Sequence, residues 1–298
     1  MTHLRRFLAF FCALTALILI SGEQAVAQPQ RQKSLTVKGF FNVRDTMIYT
    51  YDRARFSTAP ADTVCDLFEH YEFLITVKEK SDRGYRLHLI PMGSQRDGKV
   101  KNKQGPETRM IAFQYLYGMH IEVTLDNYGG RPSISNWQQV KERLMKNSSN
   151  IINKLSQLRP DLVEGENKDS LKGMFNLSIY TQEGVEALFP GLKLLFSIHG
   201  DKYDYGKTVN NGDGYTAQCD VTTGEVGMWG YRDDFNIYCE TKAEEDDGSI
   251  THDILNYNYF DNGWPNTMQE QRIERPKEER GMIETKVVQW SYHSWENE

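Results

Sequence analysis

The chain has 298 residues, a formal net charge of -6, 39% hydrophobic and 12% aromatic residues. That length sets an expectation of one or two domains, and the large apolar content excludes a disordered chain. The acidic balance argues against nucleic acid as a partner, because that partner needs a basic face.

Residues 1–27 read as a secretory signal peptide. Arg5 and Arg6 give a positive start, Phe7 to Ile20 is an uncharged apolar run, and Ala25-Val26-Ala27 supplies a small-x-small cleavage signature. The run is shorter than the roughly 20 residues a spanning helix needs. The expected product is a soluble chain beginning at Gln28, periplasmic or secreted and not membrane-spanning. Cys12 lies inside the apolar run and not at the cleavage point, which argues against a lipid anchor.

Residues 28–135 form an N-terminal β-rich half. Thr46 to Tyr51, Tyr71 to Lys78 and Tyr85 to Ile90 read as strands, the last two joined by a charged turn ending in Gly84. Arg96 to Arg109 reads as an exposed basic loop. Met110 to Tyr117 and Met119 to Leu125 read as strands, followed by the turn Asp126-Asn127-Tyr128-Gly129-Gly130.

Residues 136–200 form a helical middle. Trp137, Val140, Leu144, Ile151, Leu155 and Leu158 make a helical stripe, with Asn136 and Gln139 spaced as a capping box and Pro160 as a stop. Further helices are expected over Ser170 to Phe175 and, capped by Thr181, over Gln182 to Phe189.

Residues 201–298 form a C-terminal β-rich half. Strands are read over Tyr215 to Val221, Tyr231 to Thr241 and Ile250 to Tyr259, and alternation returns from Ile283. Both halves hold a hairpin around a charged turn and then a strand running into an Asp-Asn turn, so an internal duplication is one reading and the sharing of common turn residues the other. The fold class expected is α+β: two antiparallel β-rich halves with a helical segment between them.

The hairpin, the strand Gly118 to Leu125 running into its Asp-Asn turn, the long helix and Tyr203 to Thr208 resemble uncharacterised exported proteins of Bacteroidetes-type bacteria. That resemblance implies a compartment and an architecture, and no activity. The outline is also similar to the open half-barrels of periplasmic lipoprotein carriers, a likeness of fold alone.

The motifs of serine hydrolases, zinc peptidases, phosphate loops and dinucleotide folds do not occur. No cofactor or metal is expected. Asp201, Asp204 and Asp213 offer hard oxygen ligands, but their spacing does not fit a calcium loop. Cys219 and Cys239 fall on neighbouring strands; either they are bridged with Cys65 single, or all three are buried thiols. Asp45-Thr46-Met47, Asp62-Thr63-Val64 and Asp169-Ser170-Leu171 match a short bacterial acceptor pattern for O-linked glycans.

Aromatic residues gather near the two Asp-Asn turns. Tyr115, Tyr117, Trp137, Tyr257, Tyr259 and Trp264 are the candidate ligand-binding residues, as a concave aromatic surface; the alternative is ordinary sheet core. The function expected is non-enzymatic binding of a lipid, an apolar small molecule or an envelope protein. Alternatives are a glycan hydrolase using a carboxylate pair and a structural or adhesive envelope module.

Overall fold

A computed structural model describes residues 34–59, 62–93, 108–212, 215–223, 235–244, 248–260, 262–275 and 283–294. The order begins β1 (Ser34–Thr36), β2 (Thr46–Ala59), β3 (Asp62–Ser81), β4 (Gly84–Gly93), α1 (Thr108–Gln114), β5 (Ile121–Leu125) and β6 (Ser133–Ile134). Helices α2 (Trp137–Leu158), α3 (Pro160–Val163), α4 (Lys168–Ser178), α5 (Gln182–Glu186) and α6 (Pro190–Leu195) follow. The chain returns to strands β7 (Lys202–Asp204), β8 (Gly206–Gly212), β9 (Tyr215–Thr223), β10 (Phe235–Glu244), β11 (Ile250–Tyr259), β12 (Pro265–Arg275) and β13 (Ile283–Ser294).

This is an α+β fold, with β-rich parts before and after the helices. The two parts do not form separate sheets. Eleven strands make one antiparallel sheet in the order β6-β5-β4-β3-β2-β13-β12-β11-β10-β9-β8, and β1 pairs with β7 alongside it. The closure is β13 against β2, from Ile283 opposite Thr58 to Ser294 opposite Met47. Each meander would otherwise end in a long unpaired edge, so joining them satisfies two rows of backbone groups at once. At the far side, the short edge strand β6 is held by α5: Glu186 accepts from Ile134 N–H at 3.1 Å and from Gln182 at 3.0 Å.

The helices cover one face of this sheet. The covered positions alternate along each strand: Met47, Tyr49 and Tyr51; Tyr71, Phe73, Ile75 and Val77; Tyr85, Leu87 and Leu89; Ile121, Val123 and Leu125. Helix α2 presents Val140, Leu144, Ile151, Ile152 and Leu155 to them. Leu158, read as part of that stripe, is 44% exposed because the helix ends there and the chain turns into α3.

Three expectations are corrected. Met110 to Tyr117 is not a strand: α1 covers most of it, and Met110, Ile111, Ala112 and Phe113 are all buried. An apolar run buried on every side carries no period that separates helix from strand. Asn136 stands at the N-cap position of α2 but its side chain makes no cap bond; its Oδ1 accepts from Glu122 N–H at 2.9 Å and its amide donates to His120 O, so it fastens β5 to the helix start. Arg109 does not sit in a solvated basic loop but is paired within the fold, while Arg96, Lys99, Lys101 and Lys103 lie outside the described residues. Thr181 caps α5 as expected, accepting from Gly184 N–H at 3.2 Å.

One buried ring organises the covered face. Phe41 is fully buried, with its ring centroid 4.0 Å from Trp264, 5.0 Å from Tyr85, 6.1 Å from Phe196 and 5.9 Å from His199. Gly263 has φ +79, and a Cβ there would lie 2.1 Å from Lys38 O, so both its backbone and its packing demand glycine. Trp264 Nε1 donates to Asp45 at 3.2 Å, Tyr85 OH to Gly39 O at 2.7 Å and Tyr49 OH to Pro265 O at 3.1 Å. These three polar tips are thereby satisfied.

His199 is the buried titratable group of the cluster. It is 6% exposed, its Nε2 lies 2.8 Å from Gly263 O, and burial pushes its pKa down to about 4. In the unfolded chain it returns to its ordinary 6.5. The unfolded state therefore binds a proton that the folded state refuses as pH falls from 6.5 towards 4. Stability is full above this window and declines across it, by about 3 kcal/mol in total. Urea unfolding between pH 7.5 and 4 is expected to show this slope, and a His199→Gln variant, which keeps a donor for Gly263 O, is expected to lack it.

Candidate binding site

The six candidate aromatics do not form one surface. Tyr257, Tyr259 and Trp264 are 2%, 0% and 0% exposed. Tyr259 stacks on Phe235, with ring centroids 5.1 Å apart and 7° between planes, and Trp264 packs on Phe41. These three are core. Trp137 lies half-buried at the start of α2, where Lys141 Nζ sits 4.9 Å from its ring and 4.9 Å from the ring of Tyr180. Tyr115 and Tyr117 stand elsewhere, on the turn that follows α1.

That turn and one face of α2 bound an open groove of 810 Å³. Its lining is Gln114, Tyr115 and Tyr117 on one side and Gln139, Glu142, Arg143, Lys146 and Asn147 on the other. The helix residues recur at spacings of three and four, so they share one side of α2 while Val140 and Leu144 point into the core. Arg143 fixes the two walls to each other, donating to Tyr115 O at 2.7 Å and Tyr117 O at 3.3 Å. Gly118, with φ +69, then turns the chain back, and its N–H reaches Pro91 O at 3.1 Å.

The groove joins two tyrosine rings to a rim of amide and charged groups. Its volume lies within the range of small-molecule sites. Such a lining can hold a ligand with an apolar body and a polar end. It carries one acid, Glu142, and so does not offer the facing carboxylate pair of a glycan hydrolase. The helical half of the site was legible in the spacing of Gln139, Glu142, Arg143 and Lys146. A polar face on a helix is by itself only a solvated surface, and nothing along the chain sets Tyr115 and Tyr117 opposite it.

A second polar cluster lies on the covered face of the sheet. Glu69 is fully buried and accepts from Arg109 at 2.7 Å, Arg53 at 3.4 Å and Tyr71 OH at 3.2 Å. Burial raises the Tyr71 pKa, with Glu69 adding to it, and burial takes Tyr51 up to about 12. Burial alone would lower the Arg109 pKa, but Tyr71 and Glu69 outweigh it and hold the guanidinium above its ordinary range. All these shifts favour the charge states that bind one another, so this is a structural clamp between α1, β2 and β3. Nothing in the sequence placed Glu69 opposite Arg109, forty residues away.

Among the described residues no three His, Cys, Asp or Glu side chains come together as a metal site, and no helix is long and apolar enough to cross a membrane. Ser170 is exposed in the first turn of α4, and Thr46 donates to Arg44 O at 3.1 Å.

No protein family and no curated protein matches this sequence. Among solved structures, one on lipid-protein interactions in lipovitellin is similar with a TM-score of 0.42 and 11% sequence identity, over 85% of this chain and 25% of that one. The chain thus spans about a quarter of that protein's length, and a likeness at this level fixes neither ligand nor role.

Cys239 is disulfide-bonded, and the β9–β10 ladder sets Cys219 directly opposite it. Non-reducing peptide mapping is expected to recover one cross-linked pair joining residues 219 and 239; a free Cys239 thiol would refute it. Closing a loop of this length stabilises by about 3 kcal/mol, so reduction is expected to lower the unfolding midpoint.

Proposed function

We propose that this protein is an exported, non-enzymatic binding protein whose ligand is an apolar molecule with a polar end. The groove between the turn after α1 and helix α2 is its seat. The observation that carries this reading is the composition of that groove, in which Tyr115 and Tyr117 face Gln139, Glu142 and Lys146 across an open space of 810 Å³. The tyrosine rings supply contact area to the apolar body at little cost in side-chain entropy. Lys146, Glu142 and the amides orient the polar end. Arg143 is tied to the turn carbonyls, so the walls are held before a ligand arrives, which lowers the entropy lost on binding.

Export is supported by the signal-like residues 1–27 and by the disulfide at Cys239. A short segment of a partner protein is the alternative occupant. Native mass spectrometry of the protein purified from its own host without detergent separates the two. A co-purified small mass, lost in a Tyr115→Ala/Tyr117→Ala variant that still folds cooperatively, is the expected result. A bare spectrum for the parent would overturn small-ligand binding at this groove. Residues 115 and 117 are half-buried, so the double variant is expected to cost no more than about 2 kcal/mol of stability.

A further inference from the structure

At the end of the sheet where β2 starts and β5 and β11 stop, three segments meet: 38–45, 126–131 and 262–264. They are bonded to one another, Gly39 N–H to Tyr128 O at 2.7 Å and Phe40 N–H to Asn262 O at 2.8 Å. Phe40, Val43 and Tyr128 are 53%, 50% and 41% exposed there. One exposed apolar side chain needs no explanation, but a cluster of them does. Lys38 Nζ stands 5.5 Å from the Phe40 ring and 5.9 Å from the Tyr128 ring, so the rings and a cation share one surface.

The backbone adds an independent observation. Among the described residues, Arg44 (φ 81) and Arg131 (φ 53) are the non-glycine residues with positive φ, and both belong to this end. Glycine or asparagine would take a left-handed turn more easily. The chain instead places two arginines there, both exposed, with Arg131 3.8 Å from its carboxylate neighbour Asp126. The acids of the same turns face inward to the backbone. Asp45 accepts from Asn42 N–H and Trp264 Nε1, and Asp126 accepts from Tyr128 and Gly130 N–H. Asp201, next to the cluster, is an exposed acid. Beneath the exposed groups, Phe41, Trp264 and the glycines around them form a packed base.

We propose that this end of the sheet docks on an anionic lipid bilayer. Phe40, Val43 and Tyr128 enter the boundary between headgroups and acyl chains, and Lys38, Arg44 and Arg131 meet lipid phosphates. Surface binding of this kind grows with the apolar area inserted and with attraction of cations to anionic lipid. Arginine at two left-handed backbone positions fits a surface that uses its charge, because backbone strain clusters at functional sites. The packed base presents the apolar tips already ordered. This inference rests on residues far from the groove and stands whether or not the groove binds a ligand.

The test is co-sedimentation of the whole protein with vesicles of phosphatidylcholine alone and of phosphatidylcholine with one-third phosphatidylglycerol. Binding to the mixed vesicles, weakened by salt, is expected. An Arg44→Gly/Arg131→Gly variant is expected to lose roughly 25-fold in partitioning, at about fivefold per cation. Because glycine accepts both backbone conformations, this variant is expected to melt no earlier than the parent, which separates lost docking from lost folding. A Phe40→Ser/Val43→Ser variant is expected to lose most of its binding to the mixed vesicles although its cations remain. Failure of the parent to sediment with the mixed vesicles would overturn the proposal, as would variants that bind like the parent. Self-association of the parent that the variants abolish, without vesicle binding, would assign this end to a protein contact and overturn the lipid reading.

Discussion

The structure depends on how the short segment Val37–Phe41 finds partners for its backbone. Val37, Gly39 and Phe41 are buried, and the backbone groups of this stretch are satisfied within the protein. They are shared among three distant parts of the chain: Val37 bonds residues 200 and 201, Gly39 bonds Tyr128, and Phe40 bonds Asn262. One stretch therefore fastens the end of the helical middle, the last turn of the N-terminal part and the β11–β12 turn together. Phe41 then fills the space between them, against Trp264, Tyr85, Phe196 and His199. A packed aromatic cluster tolerates little change in volume, which is why glycines stand where a Cβ would strike this segment.

Everything else follows from the sheet that this stitching closes. With β13 on β2, an antiparallel sheet of eleven strands has one face to cover, and the helices do so. Most of those helices are short: α1 has 7 residues, α5 has 5 and α6 has 6. Isolated helices below roughly 12 residues are marginal, so these exist because their apolar sides pack on the sheet. The polar face of α2, the longest at 22 residues, is left to solvent and becomes one wall of the groove. The site is thus made from what the core does not use. The buried clamp of Glu69 with Arg109 and Arg53 keeps α1 in place, and with it the turn that carries Tyr115 and Tyr117.

The groove and the docking end are different surfaces with different chemistries. The groove mixes tyrosine rings with amides and both signs of charge. The docking end is apolar and cationic in a protein whose net charge is -6. The two surfaces share no residue, so a substitution in one leaves the lining of the other unchanged.

The local elements are written along the chain. Alternating residues marked β3, β4, β10 and β11, a stripe at helical spacing marked α2, and Thr181 marked the start of α5, because period and capping are properties of neighbours along the chain. The sequence also set Cys219 and Cys239 on adjacent strands. It did not separate helix from strand in Met110 to Tyr117, where burial on all sides removes the period, and it did not show β12, whose run Gln269-Glu270-Gln271-Arg272 is polar. Long-range contacts settle the rest: the two β-rich parts make one sheet, Tyr257, Tyr259 and Trp264 go to the core while Tyr115 and Tyr117 go to a groove, and Glu69 meets Arg109. Those outcomes turn on contacts between residues far apart in the chain, and no local preference encodes which distant surface a side chain will meet.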